Sequence, residues 1–505
     1  MKHLSFTLLL LILAKISLGQ LQLTGTVKNA ATNDDIELNF SRNGEYWANN
    51  SIHLKPNKAG NFQFKSAERT AKFAILIFKE SKQYVLLSPN RPLHINVNKQ
   101  SNTFSFSGKA KPENDAIFKL RLSNTEDLGF IKELRTKNSF ATWSVDSVIR
   151  IKLPQVRHSL DSSLKYVNTS ALPTSIKSQL AAEVKHQYAN AVANYIGGYL
   201  NRGKNRKDFH LRFIDTTLKL FKLPTKSELD RGLHANAYLE QYTRFKNWRA
   251  FYAYTSNPNK ALAAQQLKTG AGIDIDELIQ TVNTSGEKYA FNVASKSMLP
   301  QYAWEKLMNN MMFDYCMSAQ LQLGDRLLHF IRANCSDKEY LATAEQLFAP
   351  LRKLRDKYAN NLNIKIRPDY KTVNSLAQIL EPYKGKVVLL DMWFTTCGPC
   401  LAELKYTTAL KGRFKNSDVV FLNIAAEPEK NDEVWRDFMF INNMTGEHIR
   451  KNDNDIKTLW NELGIQDKDQ GYPHYFIIDK NGKIANNNAK RPSDGEALIN
   501  SWKRL

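Results

Sequence analysis

The residues of this sequence best placed to do chemistry are Cys397-Gly398-Pro399-Cys400. They follow the apolar run Val387–Trp393, which reads as a strand, and they open a stretch from Cys397 to about Leu410 that reads as a helix. Two intervening residues let both sulfurs bond without distorting the first helical turn. Cys397 then falls at the helix N-terminus, where unpaired N–H groups and the helix dipole favour a thiolate over a thiol. Pro399 suits that turn, because the N–H it lacks would have no partner there. The chemistry such a pair supports is thiol–disulfide exchange. The same spacing is also half of a zinc site, which needs two more ligands. The remaining cysteines, Cys316 and Cys335, lie far upstream.

Three further features belong with the pair. Asp391 interrupts the apolar strand six residues before Cys397. An acid buried beneath the cysteines would have a raised pKa and could exchange a proton with the resolving thiol, or it could be a strand-end acid bonded to backbone. Tyr472-Pro473 stands before the strand His474–Ile478. A proline there is either an ordinary trans edge residue or a cis turn that offers the preceding backbone to a ligand. Glu403 lies three residues past Cys400, on the same helical face, as a solvated acid or one that tunes Cys400. Elsewhere no Gly-rich phosphate loop and no His-Glu-x-x-His occurs. Asp467–Gly471 imitates a calcium loop, but Ile478 stands where the closing acid belongs, and His474 reads as a strand histidine.

The elements that must position these residues alternate strand and helix. After Val387–Trp393 and the cysteine helix come a strand over Val419–Ala425, a helix over Asp432–Ile441 and another over Asn454–Leu463. Pro473–Asp479 and Lys483–Ala485 flank the Lys480-Asn481-Gly482 turn as a hairpin, and Gly495–Leu505 closes as a helix. This order predicts a mixed sheet covered on both faces over residues 361–505. Upstream, residues 20–111 carry short alternating runs such as Asn61–Phe64 and Leu93–Val97 between turn residues, which predicts a small β-sandwich-like module. From 112 to 360 the period is helical: Leu211, Ile214, Leu218 and Phe221 share one face. Turns are marked by Gly197-Gly198, Gly203 and Gly270-Ala271-Gly272, while Met308, Met311 and Met312 read as core filling. Cys316 and Cys335 either form a structural disulfide across a helical hairpin or stay as buried thiols.

At 505 residues, 42% of them apolar, the chain has material for about three domains. Its N-terminus reads as a secretory signal over residues 1–19: Lys2, a leucine-rich run from Leu4 to Ala14, then Ser17-Leu18-Gly19 before Gln20. Lys15 stops the run at about half of the ~20 apolar residues a membrane span needs. A soluble, exported mature protein is therefore expected, with no transmembrane span after cleavage. The net charge of +22 is uneven. Residues 361–505 hold 21 basic and 19 acidic side chains (+2), which leaves 50 and 30 (+20) for residues 1–360. The basic residues are scattered among aliphatic ones, as on solvated helix faces, so nucleic acid is not expected as a partner.

Val387–Trp393, the Cys397–Cys400 motif and Gly471-Tyr472-Pro473 before a strand together resemble the thioredoxin superfamily. Within it the sequence is similar to the exported TlpA/ResA-like disulfide reductases, which share Glu403 and the Gly385-Lys386 lead-in. The resemblance implies that Cys397 attacks, that Cys400 resolves, and that Asp391 or Glu403 handles protons. It implies a cis Pro473 beside the sulfurs, with Trp393 and Tyr472 also on the substrate side. Thr395-Thr396 replaces the small-aromatic pair usual before the first cysteine, and Asp391 departs from the neutral residue of haem-maturation relatives. The function expected is a periplasmic thiol–disulfide oxidoreductase acting as a reductase on protein disulfides. It would be recharged by a membrane thiol donor and use no metal or cofactor besides the cysteine pair. The rivals are an oxidase or isomerase, and a binding protein with a passive thioredoxin scaffold.

Overall fold

The computed structural model describes residues 20–502 apart from 32–33, 48–49, 80, 137–143, 199–205 and 415–418. The signal expected over residues 1–19 and the turn at Gly203 lie outside the described residues. The chain divides into two compact units, with the boundary after Asn310.

In the first unit, the alternating runs form β1 (Leu21–Val27), β2 (Ile36–Asn39), β3 (Ser51–Leu54) and β4 (Asn61–Ser66), then β5 (Lys72–Phe78), β6 (Ser81–Leu87), β7 (Leu93–Asn98) and β8 (Thr103–Ser107). They make two four-stranded sheets, in the orders β4-β1-β7-β8 and β3-β2-β5-β6. One apolar cluster joins Leu23, Phe62 and Ile95 of the first sheet to Leu38, Leu76 and Val85 of the second. β6 ends its sheet, and Asn114 of the following helix substitutes for the missing strand there. Its side chain accepts from the Leu86 N–H at 2.9 Å and donates to the Leu86 carbonyl at 3.1 Å. This satisfies backbone groups that an edge strand otherwise leaves open.

The helical stretch is present as expected. Its core combines Leu180, Val184 and Tyr188 of α1 (Thr174–Ala191) with Tyr238 and Phe245 of α2 (Leu233–Ser256). The N-cap of α2 is Gly232, which has no side chain to offer. Glu183 of α1 supplies the acceptor instead, bonding the His234 N–H at 3.0 Å. Burial pushes this carboxyl up to about 8 against the pull of those backbone N–H groups. α3 (Gln301–Met317) buries Met308, Met311 and Met312 as core filling.

In the second unit, α4 (Leu321–Asn334) crosses α5 (Lys338–Tyr358) closely at Gly324, where an added Cβ would lie 2.5 Å from the Phe348 ring. No disulfide joins Cys316 and Cys335. Cys316 is buried and its thiol is pushed up to about 12 by that burial, while the Cys335 thiol donates to the Asp337 carbonyl at 3.4 Å. The sheet is mixed, in the order β14-β13-β10-β11-β12-β9. Its strands are β9 (Ile364–Ile366), β10 (Val387–Trp393), β11 (Val419–Ala426), β12 (Gly446–Lys451), β13 (His474–Ile478) and β14 (Ile484–Asn486). β10 runs parallel to β11 and antiparallel to β13, and β13 and β14 form the expected hairpin. The helices are α6 (Gly398–Arg413), α7 (Asp432–Ile441), α8 (Asp453–Glu462) and α9 (Glu496–Trp502). Val387 and Leu389 of β10 pack with Leu410 of α6 and Leu498 and Trp502 of α9. Alternation along the strand puts Asp391 on that same face.

The change of periodicity suggested a boundary at 360/361; the second compact unit holds that span together with α4 and α5. Arg355 of α5 pairs with Asp437 of α7 at 3.1 Å, a tie that helical periodicity does not reveal. The sequence reading also lacked β9 and β12. β12 hides because only one of its buried residues, Ile449, is aliphatic, and the others are His448, Arg450 and Lys451. Arg450 is satisfied there by Asp432 at 3.0 Å and by the Glu427 carbonyl at 3.1 Å.

Candidate active site

The cysteine pair stands where strand β10 gives way to helix α6. Cys397 is the N-cap of α6, and its sulfur accepts the Cys400 N–H at 3.1 Å. That N–H is one of the donors a helix start leaves open, and it would hold a Cys397 thiolate equally well. The two sulfurs are bonded to each other, with Cα atoms 5.2 Å apart, inside the span a disulfide allows. Cys397 is 3% exposed and Cys400 6%, so solvent exposure does not separate their roles. Position in the helix does, since Cys397 alone occupies the cap.

On β10, Asp391 is partly buried, and its Oδ1 is sealed from solvent without a hydrogen-bond partner. Burial raises its carboxyl to about 7; Glu403 pushes the same way, while Lys411 and the donating Tyr475 hydroxyl oppose. Tyr475 reaches it because β13 pairs with β10 in a register that sets Tyr475 opposite Asp391. Lys411 is held down to about 8, first by burial, with Asp391 opposing. Its ammonium donates to the Thr445 carbonyl. His448 nearby is pushed down to about 3 by burial and by Lys411, so it stays neutral and its Nε2 meets the Met444 carbonyl at 2.6 Å. An acid whose pKa falls near neutrality, beside a lysine displaced toward it, is suited to accept and return a proton at physiological pH.

Glu403 is buried, and both its oxygens are occupied. One accepts the Ser493 N–H and the other the Ser493 hydroxyl, each at 2.9 Å. Glu403 therefore clamps the loop before α9 to the first turns of α6, while its charge still acts on Asp391.

The Tyr472–Pro473 peptide is cis. The Tyr472 ring lies edge-on to Phe394 at 5.1 Å and to Trp460 at 5.6 Å, and its hydroxyl accepts from the Trp460 indole N–H at 3.3 Å. A cleft of about 480 Å³ opens here, lined among others by Asp469, Tyr472, Pro473, His474, Asn488 and Arg491. Trp393, expected on the substrate side, is instead 2% exposed and packs against Phe438 at 5.2 Å. It fills the core and offers no surface to a partner. His474 is a strand histidine, stacked on Phe476 and bonded to the Asn487 carbonyl at 2.7 Å.

Comparison with known proteins points to the same part of the chain. The Redoxin family matches residues 365–498. The thiol-disulfide oxidoreductase ResA of Bacillus thuringiensis is 29% identical over 108 residues, which are 21% of this chain and 56% of that protein. Residues 365–498 are a TlpA/ResA-like domain of the thioredoxin superfamily. The chain spans only about half the length of the curated relatives it matches. Two solved structures are also similar. The thioredoxin domain of a thiol-disulfide oxidoreductase from Bacteroides vulgatus is 25% identical, covering 25% of this chain and 82% of that one, with a TM-score of 0.22. A thiol:disulfide interchange protein from a Bacteroides species is 24% identical, covering 25% and 76%, with a TM-score of 0.21.

In this TlpA/ResA-like domain the sequence reading missed Lys411, Tyr475, Ser493 and Glu427. Lys411 had a signal: Cys400, Glu403, Thr407 and Lys411 recur at helical spacing on one face of α6. Glu427 had none. Buried just past β11, its carboxylate accepts the Thr395 N–H at 2.7 Å, the Thr395 hydroxyl at 2.5 Å and the Asn431 amide at 2.8 Å. It thus holds the Thr395-Thr396 lead-in to Cys397.

Proposed function

We propose that the chain is an exported thiol–disulfide oxidoreductase that reduces disulfides of protein substrates through Cys397 and Cys400. The observation that carries this reading is the Cys397 sulfur at the N-cap of α6, accepting the Cys400 N–H at 3.1 Å. The reduced Cys397 thiolate attacks one sulfur of a substrate disulfide, forming a mixed disulfide and expelling the other substrate sulfur as a thiolate, which takes a proton. Cys400 then gives its proton toward Asp391 and attacks the Cys397 sulfur. The Cys397–Cys400 disulfide closes, the second substrate thiolate leaves, and two electrons have passed to the substrate. The cleft beside Tyr472 and Pro473 receives the substrate chain. In an oxidising compartment the pair is restored by a thiol donor at the membrane, which returns two electrons. Among the described residues no helix is long and apolar enough to cross a bilayer. The leucine-rich residues 4–14 supply the export signal, and residues 20–111 serve as a β-sandwich-like module. The test is the potential of the pair, read by equilibration with glutathione. A value near thioredoxin's, about −270 mV, is expected; one above about −150 mV would make the protein an oxidant and overturn the direction.

A further inference from the structure

The first unit contains a cleft of about 600 Å³ that the thiol chemistry does not use. Its volume falls in the range of small-molecule sites, about 300–1,000 Å³. Strands β1, β4 and β5 contribute to its wall, together with the start of α2 and Lys306 of α3. The charge of that wall is lopsided. Arg42, Lys65, Lys72, Arg231 and Lys306 line it, against two acids, Glu68 and Asp230. Both acids are already engaged. Glu68 accepts from the Thr70 hydroxyl at 2.7 Å and stands 4.0 Å from Lys72. Asp230 pairs at 3.2 Å with Lys226, which is not part of the wall.

Two of the cations have no such partner. Lys306 is partly buried, yet neither it nor Arg42 makes a hydrogen bond or ion pair among the described residues. Burial pushes the Lys306 ammonium down to about 8; Asp230 opposes, while Arg42, Lys72 and Lys226 act in the same direction as burial, so positive charge outweighs negative around it. An excess of positive over negative charge around a partly buried ammonium is unfavourable, and an anion entering the cleft relieves it. The rest of the wall is apolar: Leu21, Phe40, Ile52, Phe64, Phe73 and Leu233. A purely inorganic anion leaves that surface wet.

We propose that this cleft binds a small organic anion with an apolar body, its carboxylate or phosphate head met by Lys306, Arg42 and Lys72 and its hydrocarbon or aryl part laid against Phe40, Phe64 and Phe73. The site is separate from the cysteine pair and independent of the reductase reading.

The experiment is calorimetric titration of the full chain with octanoate, 1-octanol and inorganic phosphate at low salt. Octanoate should bind and the other two should bind at least tenfold more weakly. Lys306→Met should weaken octanoate roughly tenfold, the loss expected for one charged hydrogen bond. Arg42→Gln, an exposed position that does not endanger folding, should weaken it in the same direction, and added salt should do likewise. Octanol binding as tightly as octanoate would leave the cations no role and overturn the proposal. Phosphate binding as tightly would remove the apolar wall from it and overturn it too. Octanoate affinity unchanged in both variants would also refute it.

Discussion

Replacing Asp391 with Asn should stabilise the second unit, by an amount that grows with pH. Burial raises this carboxyl from 3.8 to about 7 in the folded protein. In the unfolded chain it titrates near its ordinary value of about 3.9. Below that value both states hold the proton and the group makes no difference. Between there and 7 the unfolded state ionises while the folded state keeps its proton, so stability falls by about 1.36 kcal/mol per pH unit. Above 7 both states are ionised and the loss levels off at roughly 4 kcal/mol. Asn is neutral at every pH and escapes this loss. Lys411 takes part of the gain back, because near pH 7 it is a buried cation that loses its counter-charge in Asp391→Asn. Asp391→Asn with Lys411→Met should therefore show the fuller relief. The assay is hydrogen exchange of the β10 amides in the full-length protein between pH 5 and 8.5, wild type and variants side by side. Comparing them at equal pH cancels the intrinsic exchange rate. A stability difference that does not change with pH, or a double variant less stable than wild type at pH 8, would refute a carboxyl held protonated by burial.

Other outcomes can be checked as directly. Cys400→Ser should accumulate mixed disulfides with partner proteins in an extract prepared without reductant, and Cys397→Ser should accumulate none; equal capture by both would reverse the assigned roles. Glu427→Gln keeps one acceptor but loses the charge that three donors surround, so it should cost about 1–3 kcal/mol. It should also slow the attack of Cys397 on a test disulfide in stopped-flow, and an unchanged rate would limit Glu427 to stability. Gly324→Ala places a methyl group against the Phe348 ring and should destabilise the second unit by about 1–3 kcal/mol, seen as a lower unfolding temperature.

The elements around the cysteines could be read from the sequence because their signals are local. An apolar run between Lys386 and Thr395 makes β10, and Pro399 in the first turn starts α6. The Lys480-Asn481-Gly482 turn pairs β13 with β14. β12 escaped because a strand is recognised by apolar residues, and this one buries Arg450 and Lys451. Burying a charge is tolerable only when a partner waits in another element, and the sequence does not say that Asp432 will be that partner. The tie of α5 to α7 escaped for a related reason. A helix carries its period in its own residues, but the surface it covers belongs to another part of the chain.

The sequence by itself determined the cysteine pair, its place at a helix start and the face of α6 that carries Cys400 and Glu403. All of these follow from spacing along one segment, where 3.6 residues per turn fixes the geometry. Only the tertiary structure decided what meets that face. Tyr475 reaches Asp391 through the register of β10 against β13. Ser493 occupies Glu403 from a loop 90 residues away. Glu427 holds Thr395 from beyond the next strand. Each is a contact between elements distant in sequence, and the loss of water that raises Asp391 exists only once they have packed.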